Sequence, residues 1–255
     1  MSSANKQISI IIPALNEEKG ISKTIDSIPK SDLNELGYLL EILVVDGDSV
    51  DSTRAVAAQK GARVIVEKRK GYGRAYKTGF MSTPADIIVA LDADCTYPAE
   101  LIPQYIRLLQ ENELDFITVN RFSRIEKGSM SLLHKLGNKI LTYAMRSLHG
   151  VNVHDSQSGM WIMTRDFIDA INLHSDNMSM SEEIKIIAFK FFRSLEVDGK
   201  YSVREGTAKL ASFEHGWLNL KYLIEYKRLI GSAVHVRETV AEEKAYSLTK
   251  RNSHI

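Results

Sequence analysis

Short apolar runs alternate with helix-length mixed segments through the first 120 residues. The runs at 8–12, 41–45, 63–67, 86–91 and 115–119 carry apolar side chains at successive positions, the signature of strands covered on both faces. Between them, 17–27, 52–60, 73–81 and 98–110 are predicted as helices. Asp51 and Ser52 stand where an N-cap belongs, and Pro98 suits a first helical turn. Beyond Arg121 the alternation breaks. A polar segment, FSRIEKGSM, precedes a predicted helix at 132–148, a short strand at 160–163, a helix at 182–192 and a strand at 195–204. The basic, amphipathic stretch 217–230 is predicted as a last helix. With no internal repeat, the pattern predicts one α/β domain over 1–236, a mixed sheet flanked by helices, followed by a polar tail at 237–255 that is expected to fray.

Composition narrows the function. With 255 residues, 44% hydrophobic and 25% charged, the chain has the make-up of a globular protein and not of a disordered or fibrous one. Its 33 basic residues against 32 acidic ones give a net charge of +1, without the basic excess of nucleic-acid binders. One cysteine, Cys95, excludes an internal disulfide and fits a reducing compartment. The N-terminus shows no secretory pattern, and the longest apolar runs, such as 87–91, reach only about a quarter of the ~20 residues of a membrane span. No feature specifies an oligomeric state.

In an open α/β sheet, ligands gather beyond the carboxyl ends of the strands. The residues there are acidic: Pro13, Asn16 and Glu17 after the first strand, Asp46, Asp48 and Asp51 after the second, Asp92 and Asp94 after the fourth. Singly, Asp46 reads as a helix cap, and Asp48 and Asp51 as turn formers. Together, carboxylates at one edge repel unless a cation or a donor-rich ligand lies among them. Asp92-Ala93-Asp94, directly after a buried strand, supplies hard oxygen donors for Mg²⁺ or Mn²⁺ against a diphosphate. Gly71 and Gly73 open a helix but follow the third strand, with the next glycine at Gly79, so they are not a dinucleotide fingerprint. The helix entrance can still face phosphate, with Lys70 or Arg74 adding charge.

Taken in order, PALNEE, VVDGDSVDST, KGYGRA, LDADCTYP, NRF, DSQSGMW and REGTAKL resemble the motif series of family-two inverting glycosyltransferases of the GT-A fold. The likeness is greatest to polyprenyl-phosphate sugar synthases, the dolichyl-phosphate mannose and glucose group, and within it to archaeal enzymes that load the first sugar for N-glycosylation. It implies that Pro13, Asn16, Glu17, Asp46, Asp48 and Lys70 hold the nucleotide, with Asp92. It implies that Asp92 and Asp94 bind the metal bridging the donor diphosphate, with Thr96 where the family has Gln or Ser. Arg121, Arg204 and Lys209 match basic positions that face phosphate, and Lys135 follows the acceptor-phosphate loop. Three departures stand out: Gly47 replaces the second Asp of the usual pair, Trp161 replaces an Arg, and the chain lacks the transmembrane helices that some members append.

The resemblance implies transfer of a sugar from a nucleotide diphosphate, UDP-glucose or UDP-N-acetylglucosamine ahead of GDP-mannose, to dolichyl or polyprenyl phosphate. Asp94, Arg121 and Glu183 are then the expected catalytic residues. A hydroxyl acceptor is the alternative, and it calls for a base, for which Glu183 and Asp155 are the acids best placed. A nucleotide-sugar-binding subunit without turnover is a second alternative. The protein is expected in the cytoplasm, peripheral on the membrane face. Leu133, Leu136, Ile140 and Leu141 beside Lys135, Lys139 and Arg146, and Trp217, Leu220, Leu223 and Ile224 beside Lys221, Lys227 and Arg228, are the candidate contacts to the membrane surface.

Overall fold

A computed structural model describes residues 6–206 and 212–233. Lys209 and the 237–255 tail lie outside them. Seven strands form one sheet: β1 (Lys6–Ala14), β2 (Tyr38–Asp46), β3 (Arg63–Val66), β4 (Ile87–Ala90), β5 (Phe116–Ile125), β6 (Trp161–Thr164) and β7 (Ser194–Tyr201), in the order β3-β2-β1-β4-β6-β5-β7. All pairings are parallel except those of β6, which runs opposite to its neighbours β4 and β5. One edge of the sheet therefore collects the carboxyl ends of six strands and the entry to β6. Ala90 lies opposite Trp161, so the turn ahead of β6 arrives beside the turn that leaves β4.

The apolar runs bury both faces, as their composition predicts. Ile8, Ile10 and Ile12 of β1 face α1 (Glu18–Asp26) and α5 (Ile102–Glu111), meeting Ile21, Ile25, Ile102 and Ile106. Ile11, with Val45 and Ile88, faces the other way. It packs with Tyr76 and Phe80 of α4 (Tyr72–Met81), Ile184 of α8 (Met180–Phe191) and Leu223 of α9 (Ser212–Ala233). The remaining helices are α2 (Lys30–Glu35), α3 (Thr53–Gln59), α6 (Leu132–His149) and α7 (Arg165–Asp169). α6 begins where the Ser131 side chain accepts from the His134 amide and ends at Gly150, whose φ of 67° suits a residue without Cβ.

Four expectations need correction. β5 does not stop at 119 but continues through the polar segment to Ile125, because beyond an irregularity after Asn120 it pairs again with β7, Arg124 opposite Lys200 and Ile125 opposite Tyr201. The helix expected at 98–110 opens as a 3₁₀ turn, Ala99–Leu101, and Pro98 precedes it, while Pro103 occupies the first turn of α5. The last strand ends at Tyr201: the Ser202 amide donates to the Thr96 carbonyl (2.9 Å), drawing 202–206 off the ladder and over the β4 turn. α2 and α7 are short enough to have left no periodic signal.

Candidate functional site

The three acidic turns meet at the common edge, held by side chains that replace missing ladder bonds. Asn16 and Asp48 take left-handed backbone conformations, φ 51° and 67°. The Asn16 amide donates to Ser49 Oγ (2.8 Å), the Val50 amide to Asn16 Oδ1 (2.8 Å) and the Glu17 amide to Thr53 Oγ1 (2.8 Å). The loops after β1 and β2 thus form one unit, and Pro13, at the end of β1, lies opposite Val45. Asp46 is fully buried. Its Oδ2 accepts from the Ser49 amide (2.9 Å), so it braces its own turn instead of capping α3, while its Oδ1 finds no hydrogen-bond partner among the described residues. A buried carboxylate oxygen without a partner is an unfilled acceptor. Arg54 stands 3.8 Å from Asp46 and 3.7 Å from Asp48. Lys70 reaches the Gly47 carbonyl (3.3 Å), whereas Arg74, the other basic candidate, is paired with Asp176 (2.6 Å).

Beyond β4, Asp92 accepts from Tyr72 Oη (3.1 Å) and Asp94 from Thr96 Oγ1 (2.7 Å). Burial, then the charge of Asp94, pushes the Asp92 carboxyl up to about 6, against the pull of Arg204 and Tyr72. A buried carboxylate raised in part by its neighbour's charge suits a divalent ion, which Asp92 and Asp94 would hold through hard oxygen donors. Among the described residues, no group of three or more acidic, histidine or cysteine side chains is arranged to hold a metal. The second oxygen of Asp94 is already occupied: Arg204 Nη2 lies 2.7 Å from it, with Arg204 Nη1 4.0 Å from Glu17. The segment bearing Arg204 is strapped down by the Glu205 amide on the Asp94 carbonyl (3.0 Å) and by Lys23 on the Glu205 carboxylate (2.6 Å).

Arg121 is buried and forked onto Asp155, Nε at 2.7 Å and Nη2 at 2.8 Å, with the Tyr201 ring 5.2 Å from its guanidinium carbon. Two of its donors are spent inside the protein. Burial opposes the charge on Asp155, but Arg121 outweighs it and holds the carboxyl below its usual range. Glu183 accepts from the backbone amides of His174 (2.8 Å) and Ser175 (2.9 Å), and these partners do not include the Asp92–Asp94 turn. Lys135 sits in the first turn of α6.

Several residues at the edge were not among the expected site residues, although Gly159 lies in the DSQSGMW motif. Gly159, just ahead of β6, presses so closely on the β4 turn that a Cβ there would stand 2.6 Å from Tyr72 Oη and 2.8 Å from Asp92 Oδ2. Glu182, not its neighbour, turns toward the turn ahead of β6, accepting from Gln157 Nε2 (2.6 Å), with no partner for its Oε2 among the described residues, and burial raises its carboxyl well above the usual range. Only the reversal of β6 brings these residues to the edge, and a linear motif does not encode it.

A doubly covered mixed sheet with this acidic edge is the GT-A fold, and residues 9–171 match the model of glycosyl transferase family 2. The chain belongs to that family. It is 35% identical over 222 residues to the low-salt glycan biosynthesis hexosyltransferase Agl6 of Haloferax volcanii, a match covering 85% of this chain and 53% of that protein. It is 30% identical over 212 residues to the dolichyl-phosphate hexose transferase of the same organism, covering 82% and 89%. The chain thus spans about half the length of the first relative and most of the second. Glucosyl-3-phosphoglycerate synthase of Mycobacterium tuberculosis, solved with Mn²⁺, UDP and glucosyl-3-phosphoglycerate, superposes with a TM-score of 0.67 at 23% identity, over 87% of this chain and 80% of that one. At that identity the likeness speaks for the fold.

Proposed function

We propose that the protein transfers a sugar from a nucleotide diphosphate donor to a polyprenyl phosphate, with inversion. The observation that carries this reading is the convergence, on one sheet edge, of the Asp46 and Asp92–Asp94 turns with Arg204. The names of the dolichyl-phosphate relatives support the acceptor class. Asp46, Asn16, Glu17 and Lys70 would receive the nucleotide. Asp92 and Asp94 would hold Mg²⁺ or Mn²⁺, which when bound neutralises the charge growing on the departing diphosphate. A direct displacement needs no enzyme nucleophile.

The acids support a phosphate acceptor. A hydroxyl must lose its proton to a base, whereas a phosphate monoester, with its second ionisation near pH ~6, is already anionic at neutral pH. Asp155 is committed to Arg121, and Glu183 to two backbone amides and to His174 Nδ1 (3.0 Å). Burial raises the Glu182 carboxyl well above its usual range, and its Oε1 is taken by Gln157 Nε2 (2.6 Å). These commitments favour the phosphate. Purified protein incubated with dolichyl phosphate and each labelled nucleotide sugar should put label into extracted lipid, with UDP-glucose or UDP-N-acetylglucosamine the preferred donor. Label passing only to hydroxyl acceptors, or binding without transfer, would overturn the reading.

Attachment at a membrane surface belongs to the same proposal. No helix among the described residues is long and apolar enough to cross a membrane. α6, however, turns Leu132, Leu136, Ile140 and Tyr143 outward along one stripe, Leu132 at 83% exposure and Tyr143 at 74%, while Leu141 and Met145 face the core. Lys135, Lys139 and Arg146 border the stripe at helical spacing. On α9, Trp217 and Ile224 are exposed and Leu223 is buried. The protein should sediment with vesicles containing anionic lipid and be released as salt rises, since such attraction is screened over ~10 Å at 0.1 M. Indifference to lipid charge and to ionic strength would refute this.

Gly159→Ala gives a local check on the same edge. The added methyl must push Tyr72 or Asp92 aside, so turnover should fall at least roughly tenfold by misplacement alone, with the melting midpoint within a few degrees of wild type. Wild-type turnover in this variant would detach the β6 entry turn from the reaction.

A further inference from the structure

Lys185 lies in the middle of α8 with no exposed surface. Its Nζ donates to the carbonyl oxygens of Ser156 (2.9 Å), Ser158 (2.6 Å) and Ser181 (3.2 Å), lies 2.9 Å from Ser181 Oγ, and stands 5.3 Å from the centre of the Trp161 ring. Burial opposes the charge and lowers the ammonium to about 7; the charged groups facing it are Asp155, Arg121, Glu196 and Glu182. A methionine-like side chain would cover Trp161 without that desolvation cost, so packing alone does not account for a lysine here. Two of the acceptors belong to the turn 155–159. That turn carries Asp155 at one end, on Arg121, and Gly159 at the other, with its amide donating to Tyr97 Oη (2.6 Å) and its Cα against Asp92.

We infer that Lys185 is a positioning residue: its ammonium clasps the 155–159 turn to α8 and so sets where Gly159 meets Asp92 and where Asp155 meets Arg121. The inference rests on the reading of the Asp92–Asp94 edge as the donor site. Lys185 itself touches neither Asp92 nor Asp94 by any hydrogen bond or ion pair found among the described residues, and it acts through the turn. Removing it leaves the turn partly tied, because the Ser158 carbonyl also accepts from Trp161 Nε1 (2.9 Å) and Ser181 Oγ (3.1 Å).

The test uses two variants. Lys185→Met keeps the length and removes the donors; Ser181→Ala removes one strand of the clasp and keeps the charge. Amide hydrogen exchange at 155–159 and calorimetric binding of Mn²⁺ with UDP, and separately with GDP, would be measured well below each melting midpoint. In Lys185→Met, exchange at the turn should quicken and metal-nucleotide affinity fall by roughly tenfold or more, the range typical of partners that orient metal ligands. Ser181→Ala should move both readouts in the same direction by about threefold. A folded Lys185→Met with wild-type exchange and affinity overturns the inference. If Lys185→Met does not fold, wild-type values in Ser181→Ala overturn it equally. Wild-type protein that binds neither metal-nucleotide would instead overturn the reading of the edge, and the clasp's part in it falls with that reading.

Discussion

Turnover in Asp94→Asn is expected to fall by on the order of 10²–10³-fold with the fold intact, the loss typical when one preorganised charge is removed from a transfer site. Asparagine keeps an oxygen for Thr96, which bonds Asp94 Oδ1 at 2.7 Å, so the turn after β4 should survive. What goes is the negative charge on which the divalent ion and Arg204 both depend. Initial rates with saturating Mn²⁺, set beside circular dichroism, make the comparison. Chelation of wild-type protein should reproduce the loss, and added Mn²⁺ or Mg²⁺ should reverse it. Undiminished rates in the variant, or in excess chelator, would remove Asp94 from the metal and with it the assignment of the whole edge.

Arg121→Ala is expected to act first on stability. The resemblance places Arg121 toward phosphate, but the structure forks it onto fully buried Asp155. Deleting one partner of a buried pair strands the other, at a cost of about 3–5 kcal/mol. For a chain of this size that corresponds to a fall of roughly 10 °C in the melting midpoint. The pH dependence fixes the cause. Because Arg121 holds the folded carboxyl of Asp155 below its unfolded value, the stabilisation is present above pH ~4 and is lost as pH falls through the folded value. Without Arg121, burial acts unopposed by that partner and raises the carboxyl, so the variant's deficit should be greatest at neutral pH and shrink in mild acid. Removing both charges, as in Arg121→Met with Asp155→Leu, should recover part of the lost midpoint. A deficit independent of pH, or no recovery in the double variant, would refute this account.

Strands β1, β2 and β4 were legible because they are buried on both faces along most of their length, which leaves an unmistakable run of apolar residues such as Ile8, Ile10, Ile11 and Ile12, while β3, half-exposed at the sheet edge, was legible from its β-branched residues Val64, Ile65 and Val66. The acidic edge was legible for the same reason, since ligand-facing residues follow those runs directly. Past Arg121 the code weakens. Phe122 to Ile125 look like loop because a strand at this end of the sheet, paired to β7 across an irregularity, alternates polar residues. Arg121, Arg204 and Glu183 were identified by position, but their partners were not: Asp155 is 34 residues from Arg121 in sequence, and Asp94 is still more remote from Arg204. Glu182 and Glu183 differ only in the direction a helix turns them. Lys185 matters through backbone carbonyls and Gly159 through its close approach to the Tyr72 and Asp92 side chains, contacts that the chain order does not announce.

Arg204 has a thermodynamic consequence. Both Asp94 oxygens are engaged, one by Thr96 and one by Arg204. A divalent ion that took the oxygen now held by Arg204 would displace the guanidinium, and the displaced charge would stay tethered at the edge beside Glu17 and Asp92. Metal and anion then become linked ligands: each vacates what the other needs, and whatever factor the metal adds to the affinity for an anion at Arg204, the anion returns to the metal. Sites built this way discriminate against either ligand alone, so the chain would hold neither a stray cation nor a stray phosphate as firmly as it holds the two together.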